Sequence, residues 1–295
     1  MLGYVCKYTP MELFEAMDTE ITRLEPSVTD FNHADTLMHA NICSYTKAVL
    51  EDVMEHDYEG VILTTCCDSI RRLYDTLKSQ FPDKFFFLLD IPRKFNDFAV
   101  ALYERQLKQM LTEYEAFSGK TLDLKRFVSM MQNKAALKKQ ENTRMSASAA
   151  SEKGNGQKLN IGIMGARCNN EIRQLLVDRG ANLLFDLTCT GLARDFSITE
   201  DQVLHSYAAA LLNQIPCMRM LKAANREHFL DGFTDRLDGI IYHTVKFCDS
   251  YSYEYADFRQ RLDLPILLVE TDSTRQCAGQ VRTRVEAFME ELKVK

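Results

Sequence analysis

Short, uniformly apolar runs alternate with amphipathic stretches of helical period along most of this chain. A run that is apolar at every position must be covered on both faces. In the first half the strand candidates are residues 2–5, 61–64 and 85–89, separated by helical patterns at 10–23, 44–54, 69–79 and 95–117. In the second half they are 159–164, 181–187, 239–243 and 266–269, with helical patterns at 170–178, 200–212, 251–261 and 280–292. Such strands, each followed by a helix, imply parallel sheets sandwiched between helices. The predicted class is α/β, each half an open sandwich whose ligands sit beyond the carboxyl ends of the strands.

One segment interrupts the alternation. Residues 138–158 are small and polar, with almost no large apolar side chain, and read as a flexible interdomain linker. It divides the 295 residues into an N-terminal α/β lobe, 1–137, and a C-terminal α/β lobe, 159–295. With 46% hydrophobic residues both lobes can bury a sizeable core, which excludes a disordered chain. The net charge is -6 with no stripe of Lys and Arg, which argues against nucleic acid and against an anionic membrane surface. Apolar runs such as 85–89 fall far short of the ~20 residues of a membrane span. The first ten residues lack a basic segment followed by a long apolar one, so no secretory signal is expected and the expected location is the cytoplasm.

Nine cysteines in a chain of this length and compartment are not a disulfide framework. Their positions form a pattern. Gly60 precedes Cys67 by 7 residues and Gly239 precedes Cys248 by 9, and each Cys lies between a buried strand and a helix, as in a degenerate repeat. Cys6 and Cys189 also follow strands, while Cys43 and Cys217 open helical patterns. Six thiols, three per half, thus stand at strand ends or helix starts, where side chains face a cleft and helix N-termini favour a thiolate. A single cysteine is more often core filler, and Cys66, Cys168 and Cys277 are assigned that role, with the register between Cys66 and Cys67 left open. The close C-x2–4-C pairs of structural zinc and the C-x-x-C of redox disulfides are missing. Soft thiolates drawn from both lobes suit an iron–sulfur cluster in the cleft.

Gly3-Tyr4-Val5-Cys6-Lys7-Tyr8-Thr9-Pro10, Asn41-Ile42-Cys43, Thr64-Thr65-Cys66-Cys67-Asp68, Cys189-Thr190-Gly191, Phe247-Cys248-Asp249 and the tail from Glu270 to Phe288 together resemble the 2-hydroxyacyl-CoA dehydratase family, in order over nearly the whole chain. The resemblance implies two flavodoxin-like or Rossmann-like lobes with a cluster in the interlobe cleft. It also implies three [4Fe–4S] ligands matching Cys43, Cys67 and Cys248. The double-cubane branch adds three positions that match Cys6, Cys189 and Cys217, and retention of all six favours that branch, in which a sulfide bridges two cubanes. The sequence around Cys217, Ile215-Pro216-Cys217-Met218-Arg219, is the weakest local match. The segment before the first motif and the long helix between lobes, usual in the family, are replaced by a short start and the polar linker.

The function expected is a low-potential iron–sulfur reductase acting on a small-molecule substrate. A separate ATP-dependent iron–sulfur activator supplies its electron. The alternatives are a 2-hydroxyacyl-CoA dehydratase subunit with one cluster, which would act as a lyase, and a non-catalytic cluster carrier. The chain itself is not expected to bind ATP, since Gly162-Ile163-Met164-Gly165 lacks the rest of a nucleotide fingerprint and reads as a tight turn. Glu270 and Asp272 read as capping groups as readily as acid–base groups. A homodimer and a heterodimer both remain open. A cluster drawing ligands from both lobes would couple metal to interlobe closure, with a more open apo form.

Overall fold

The computed structural model describes residues 1–149, 158–168, 170–191, 198–221 and 224–294. The strands among them form two four-stranded sheets. The first contains β1 (Leu2–Tyr4), β2 (Ile21–Arg23), β3 (Gly60–Thr64) and β4 (Phe85–Leu89), in the order β2-β1-β3-β4. The second contains β5 (Asn160–Gly165), β6 (Asn182–Thr188), β7 (Gly239–Val245) and β8 (Ile266–Thr271), in the order β6-β5-β7-β8. Every pairing is parallel. Both sheets follow the flavodoxin-like order, whose direction reverses between the first and third strands and opens a crevice at their carboxyl ends. The central strands β3 and β7 are buried along their full length, by their apolar runs Val61–Leu63 and Ile240–Tyr242, with Thr64, His243 and Thr244 buried at their carboxyl ends.

The helices are α1 (Met11–Ala16), α2 (Asn32–Leu37), α3 (Ser44–Glu55), α4 (Asp68–Gln80), α5 (Asp97–Ser118), α6 (Leu124–Ala149), α7 (Asn170–Asp178), α8 (Val203–Leu212), α9 (Ala224–Asp231), α10 (Asp249–Arg261) and α11 (Ala278–Val294). On α4, Ile70, Leu73 and Leu77 are the buried side of an otherwise charged helix, at the spacing that lines one face. Asn96 caps α5 by accepting from the Ala99 amide at 2.8 Å, and Gly119 ends it in the left-handed conformation at φ 70°.

Three sequence expectations change. The helix expected over 10–23 stops at Ala16; Asp18 turns the chain at φ 52°, and the last three residues become the half-buried edge strand β2. Ile21-Thr22-Arg23 is too short to show an alternation, so it extends the preceding helical pattern by eye. Second, the stretch 138–158 is helical as far as Ala149, in continuation of α6, and residues 150–157 lie outside the described residues. Ala, Lys, Gln, Glu and Met dominate its first part and are strong helix formers, so a helix and a linker have the same composition here.

The third change concerns how the halves meet. One core packs Leu2, Phe14, Phe85 and Tyr103 with Tyr207 and Leu211 of α8, so a helix from the second half completes the first sheet's sandwich against α5. A second core joins Val5, Val49 and Leu63 to Met164, Leu187 and Tyr242. Tyr207 donates to Glu12 at 2.5 Å inside the first of these. The amides of Val28, Ser44 and Arg275 bond across to Ser273, Lys246 and Val28 carbonyls at 3.0–3.1 Å. These contacts are made by protein groups alone, and they give the halves an interface beyond the cavity thiols. Solution scattering should give a radius of gyration near the ~19 Å of a compact chain of this length, unchanged when metal is removed. Marked expansion of the apo protein would contradict the shared cores.

Candidate functional site

The two crevices face one another across a single cavity of about 120 Å³. Its walls arise from strand ends and a helix start, except at Cys217, which was expected to open a helix but lies in the loop between α8 and α9, five residues past the end of α8 and seven before α9. Val5 to Tyr8 leave β1, Cys66 and Cys67 leave β3, Ala166 and Arg167 leave β5, Cys189 leaves β6, and Cys248 leaves β7. Cys43 enters from the start of α3, and Cys217 to Arg219 from the loop between α8 and α9.

All six cysteines singled out in the sequence, Cys6, Cys43, Cys67, Cys189, Cys217 and Cys248, line this cavity. Cys66 lines it too, against its assignment as core filler. Residues that alternate faces within a strand cease to do so once the strand ends, so both members of the Cys66-Cys67 pair can face one space. Of the other two, Cys168 is a core filler, fully buried in the apolar layer between β5, α7 and α11, whereas Cys277 is only partly buried and belongs to no core, its thiol donating to the Thr274 carbonyl at 3.1 Å.

Cys43, Cys67 and Cys248 are the N-cap residues of α3, α4 and α10, the positions at which helix amides and dipole favour an anion. Cys43 and Cys248 share a hydrogen bond. It is the main influence holding the Cys43 thiol down to about 7, helped by the Tyr45 and Thr46 amides, and the same bond pushes Cys248 well up. Burial pushes Cys6 and Cys189 up to about 11, while its bond to Cys67, then burial, raises Cys66. A buried cluster of thiols in this state takes up a soft metal group with release of protons.

Cationic groups stand among the thiols. Lys7 donates to the Ile215 carbonyl at 2.5 Å, which binds the Cys217 loop to the first half. Arg167 donates to the carbonyls of Val5 and of Leu24, the latter at 3.0 Å, and lies 4.1 Å over the Tyr45 ring. Behind the cavity, Arg226 donates to Glu254 at 3.1 Å and to the carbonyls of Leu187 and Pro216 at 3.2 and 3.3 Å, which steadies the segments leading to Cys189 and Cys217. Sequence reading missed Lys7, Arg167, Arg219 and Arg226. A usable signal existed for the first three, each within two residues of a cysteine in sequence.

The remaining expectations fall outside the cavity. Asp272 accepts from the Thr274 amide and hydroxyl at 3.0 and 2.6 Å, a capping role. Gly165 makes a tight turn at φ 104°, where a Cβ would meet the His243 carbonyl oxygen at 2.1 Å.

Among the described residues, no three His, Cys, Asp or Glu side chains converge as they would around a single ion. Seven thiols are instead spread over the walls of one space, together with buried cationic side chains. This is a soft, charge-compensated donor set, and it fits a multi-atom anionic group such as an iron–sulfur cluster. A family model described as 2-hydroxyglutaryl-CoA dehydratase, D-component, matches residues 6–152 and 128–292. The chain belongs to this dehydratase family. It is similar to the (R)-phenyllactyl-CoA dehydratase beta subunit of Clostridium sporogenes, 23% identical over 347 aligned positions that cover 99% of this chain and 91% of the relative. For this family member the matched span takes in all seven thiols of the cavity.

Proposed function

We propose that this family member is a double-cubane-type, low-potential iron–sulfur reductase fed by an ATP-dependent activator protein. The observation that carries the reading is the gathering of Cys6, Cys43, Cys67, Cys189, Cys217 and Cys248, from both sheets, around one cavity. In this reading Cys43, Cys67 and Cys248 hold one cubane and Cys6, Cys189 and Cys217 the other, with Cys66 as the alternative to Cys67. When bound, such a group supplies single electrons at low potential to a small-molecule substrate. The chain's own part is to hold it. Thiolates at three helix starts anchor it, Lys7 and Arg167 offset its negative charge, and Tyr45, Ile70, Val245 and Tyr251 limit water at the walls. A cytoplasmic location is part of this proposal; among the described residues no helix is long and apolar enough to cross a membrane.

A second reading, a dehydratase subunit with one [4Fe–4S] cluster and lyase activity, draws on the N-cap trio Cys43, Cys67 and Cys248 and on the relative's name. That name describes a beta subunit, so a heteromeric partner accompanies this reading. Anaerobic reconstitution followed by iron and sulfide determination separates the two. About eight irons per chain are expected for two cubanes, and about four would favour the dehydratase subunit. Stoichiometric zinc without iron would exclude both. Substrate turnover that requires the activator distinguishes either enzyme from a cluster carrier.

A further inference from the structure

Arg219 is the cation of the cavity whose donors are uncommitted. Its Nε, Nη1 and Nη2 are all buried, and none has a hydrogen-bond partner among the described residues. The side chain nonetheless lines the same space as the thiols. Its neighbours are differently placed, since Arg167 is spent on the Val5 and Leu24 carbonyls and Lys7 on that of Ile215.

The backbone around Arg219 is pinned on both sides. The Cys217 amide donates to the Tyr8 hydroxyl at 3.3 Å, the Met220 amide to the Cys217 carbonyl at 3.0 Å, and the Leu221 amide to the Arg93 carbonyl at 2.9 Å. A guanidinium carries five N–H donors and a charge that it does not lose, and burying it unpaired is strongly unfavourable. The unmet requirement is for an anionic acceptor inside the cavity, presented to a planar fork.

We propose that Arg219 is a positioning residue that donates N–H···S hydrogen bonds to the sulfurs of the group held by the surrounding cysteines and sets its reduction potential. This rests on the iron–sulfur reading above. Donors and a fixed positive charge stabilise the reduced, more negative state, so they hold the potential up. Loss of Arg219 should therefore make the group harder to reduce.

The test compares the full chain with its Arg219→Met and Arg219→Lys variants, each reconstituted anaerobically. Iron and sulfide content, a redox titration followed by electron paramagnetic resonance, and the melting temperature of the apo form are measured. The expected result is full loading of Arg219→Met with at least a tenfold lower reduced-to-oxidised ratio at a fixed potential, about 59 mV for one electron. Arg219→Lys, which keeps the charge but not the fork, should fall between. Full loading at an unchanged potential would overturn the proposal while the cluster reading stands. If Arg219→Met loads poorly, an unchanged apo melting temperature shows that Arg219 contacts the group, and a lowered one overturns the proposal in favour of a structural role. A native chain that takes up no iron and sulfide overturns the cluster reading, and the proposal with it.

Discussion

Cys67→Ala and Cys248→Ala are expected to lose their iron–sulfur group on anaerobic reconstitution, whereas Cys168→Ala and Cys277→Ala keep it. The first two thiols begin α4 and α10 and line the shared cavity, one from each sheet. Removing either opens the ligand set from one side, and Cys66, next to Cys67 on the same cavity, is the donor best placed to replace it. Cys168 is 0% exposed within the apolar layer of the second sheet, so its truncation should cost about 1 kcal/mol of stability, as other small core deletions do. The cavity thiols are untouched by that change. Cys277 is satisfied by a backbone carbonyl outside the cavity and should be neutral for metal. Iron per chain and the visible absorption of the reconstituted proteins report the outcome. Equal iron in all four variants would refute the assignment. Iron retained in Cys67→Ala but lost in Cys66→Ala would move one ligand by a single residue and leave the site in place.

Arg226→Met should destabilise the fold by about 3–5 kcal/mol, because it leaves a buried carboxylate without its cation. Arg226 is 1% and Glu254 7% exposed, and Glu254 also accepts from the Tyr242 hydroxyl at 2.5 Å. Burial, reinforced by this carboxylate, pushes the Tyr242 phenol far up, so it remains protonated and keeps donating. One phenol does not replace a guanidinium. The same substitution frees the Leu187 and Pro216 carbonyls, so the cavity should also bind its metal group less well. The double variant Arg226→Met with Glu254→Leu removes the stranded charge and should recover a large part of the loss, since a buried ion pair replaced as a unit often costs little. Denaturant midpoints of the apo proteins measure both. A loss under about 1 kcal/mol in Arg226→Met, or no recovery in the double variant, would show that the pair does not bear on stability.

Seven of the eight described strands were legible in the sequence because each is a run of apolar side chains bounded by polar turns, a local property. The positions of five cavity cysteines were legible for the same reason, since lying just after a strand or just before a helix is defined by a few neighbouring residues, whereas Cys217, expected to open a helix, reaches the cavity from the loop between α8 and α9. Parallel order then carried them to the carboxyl ends of the sheets without further information. What the chain does not state locally is which distant segment meets which. The strand β2 is too short to show a period, and it exists because β1 offers its edge. The helix α8 reads as a member of the second half and yet packs in the first half's core, because the apolar faces of α5 and β4 are what it covers. Cys66 and Cys67 share one wall only because the backbone turns after β3. Arg219 and Arg226 look alike as letters. Tertiary structure separates them, burying one against a carboxylate and leaving the other on the wall of the thiol cavity without a hydrogen-bond partner among the described residues, since the partner of a charge is set by contacts between distant segments that no local pattern encodes.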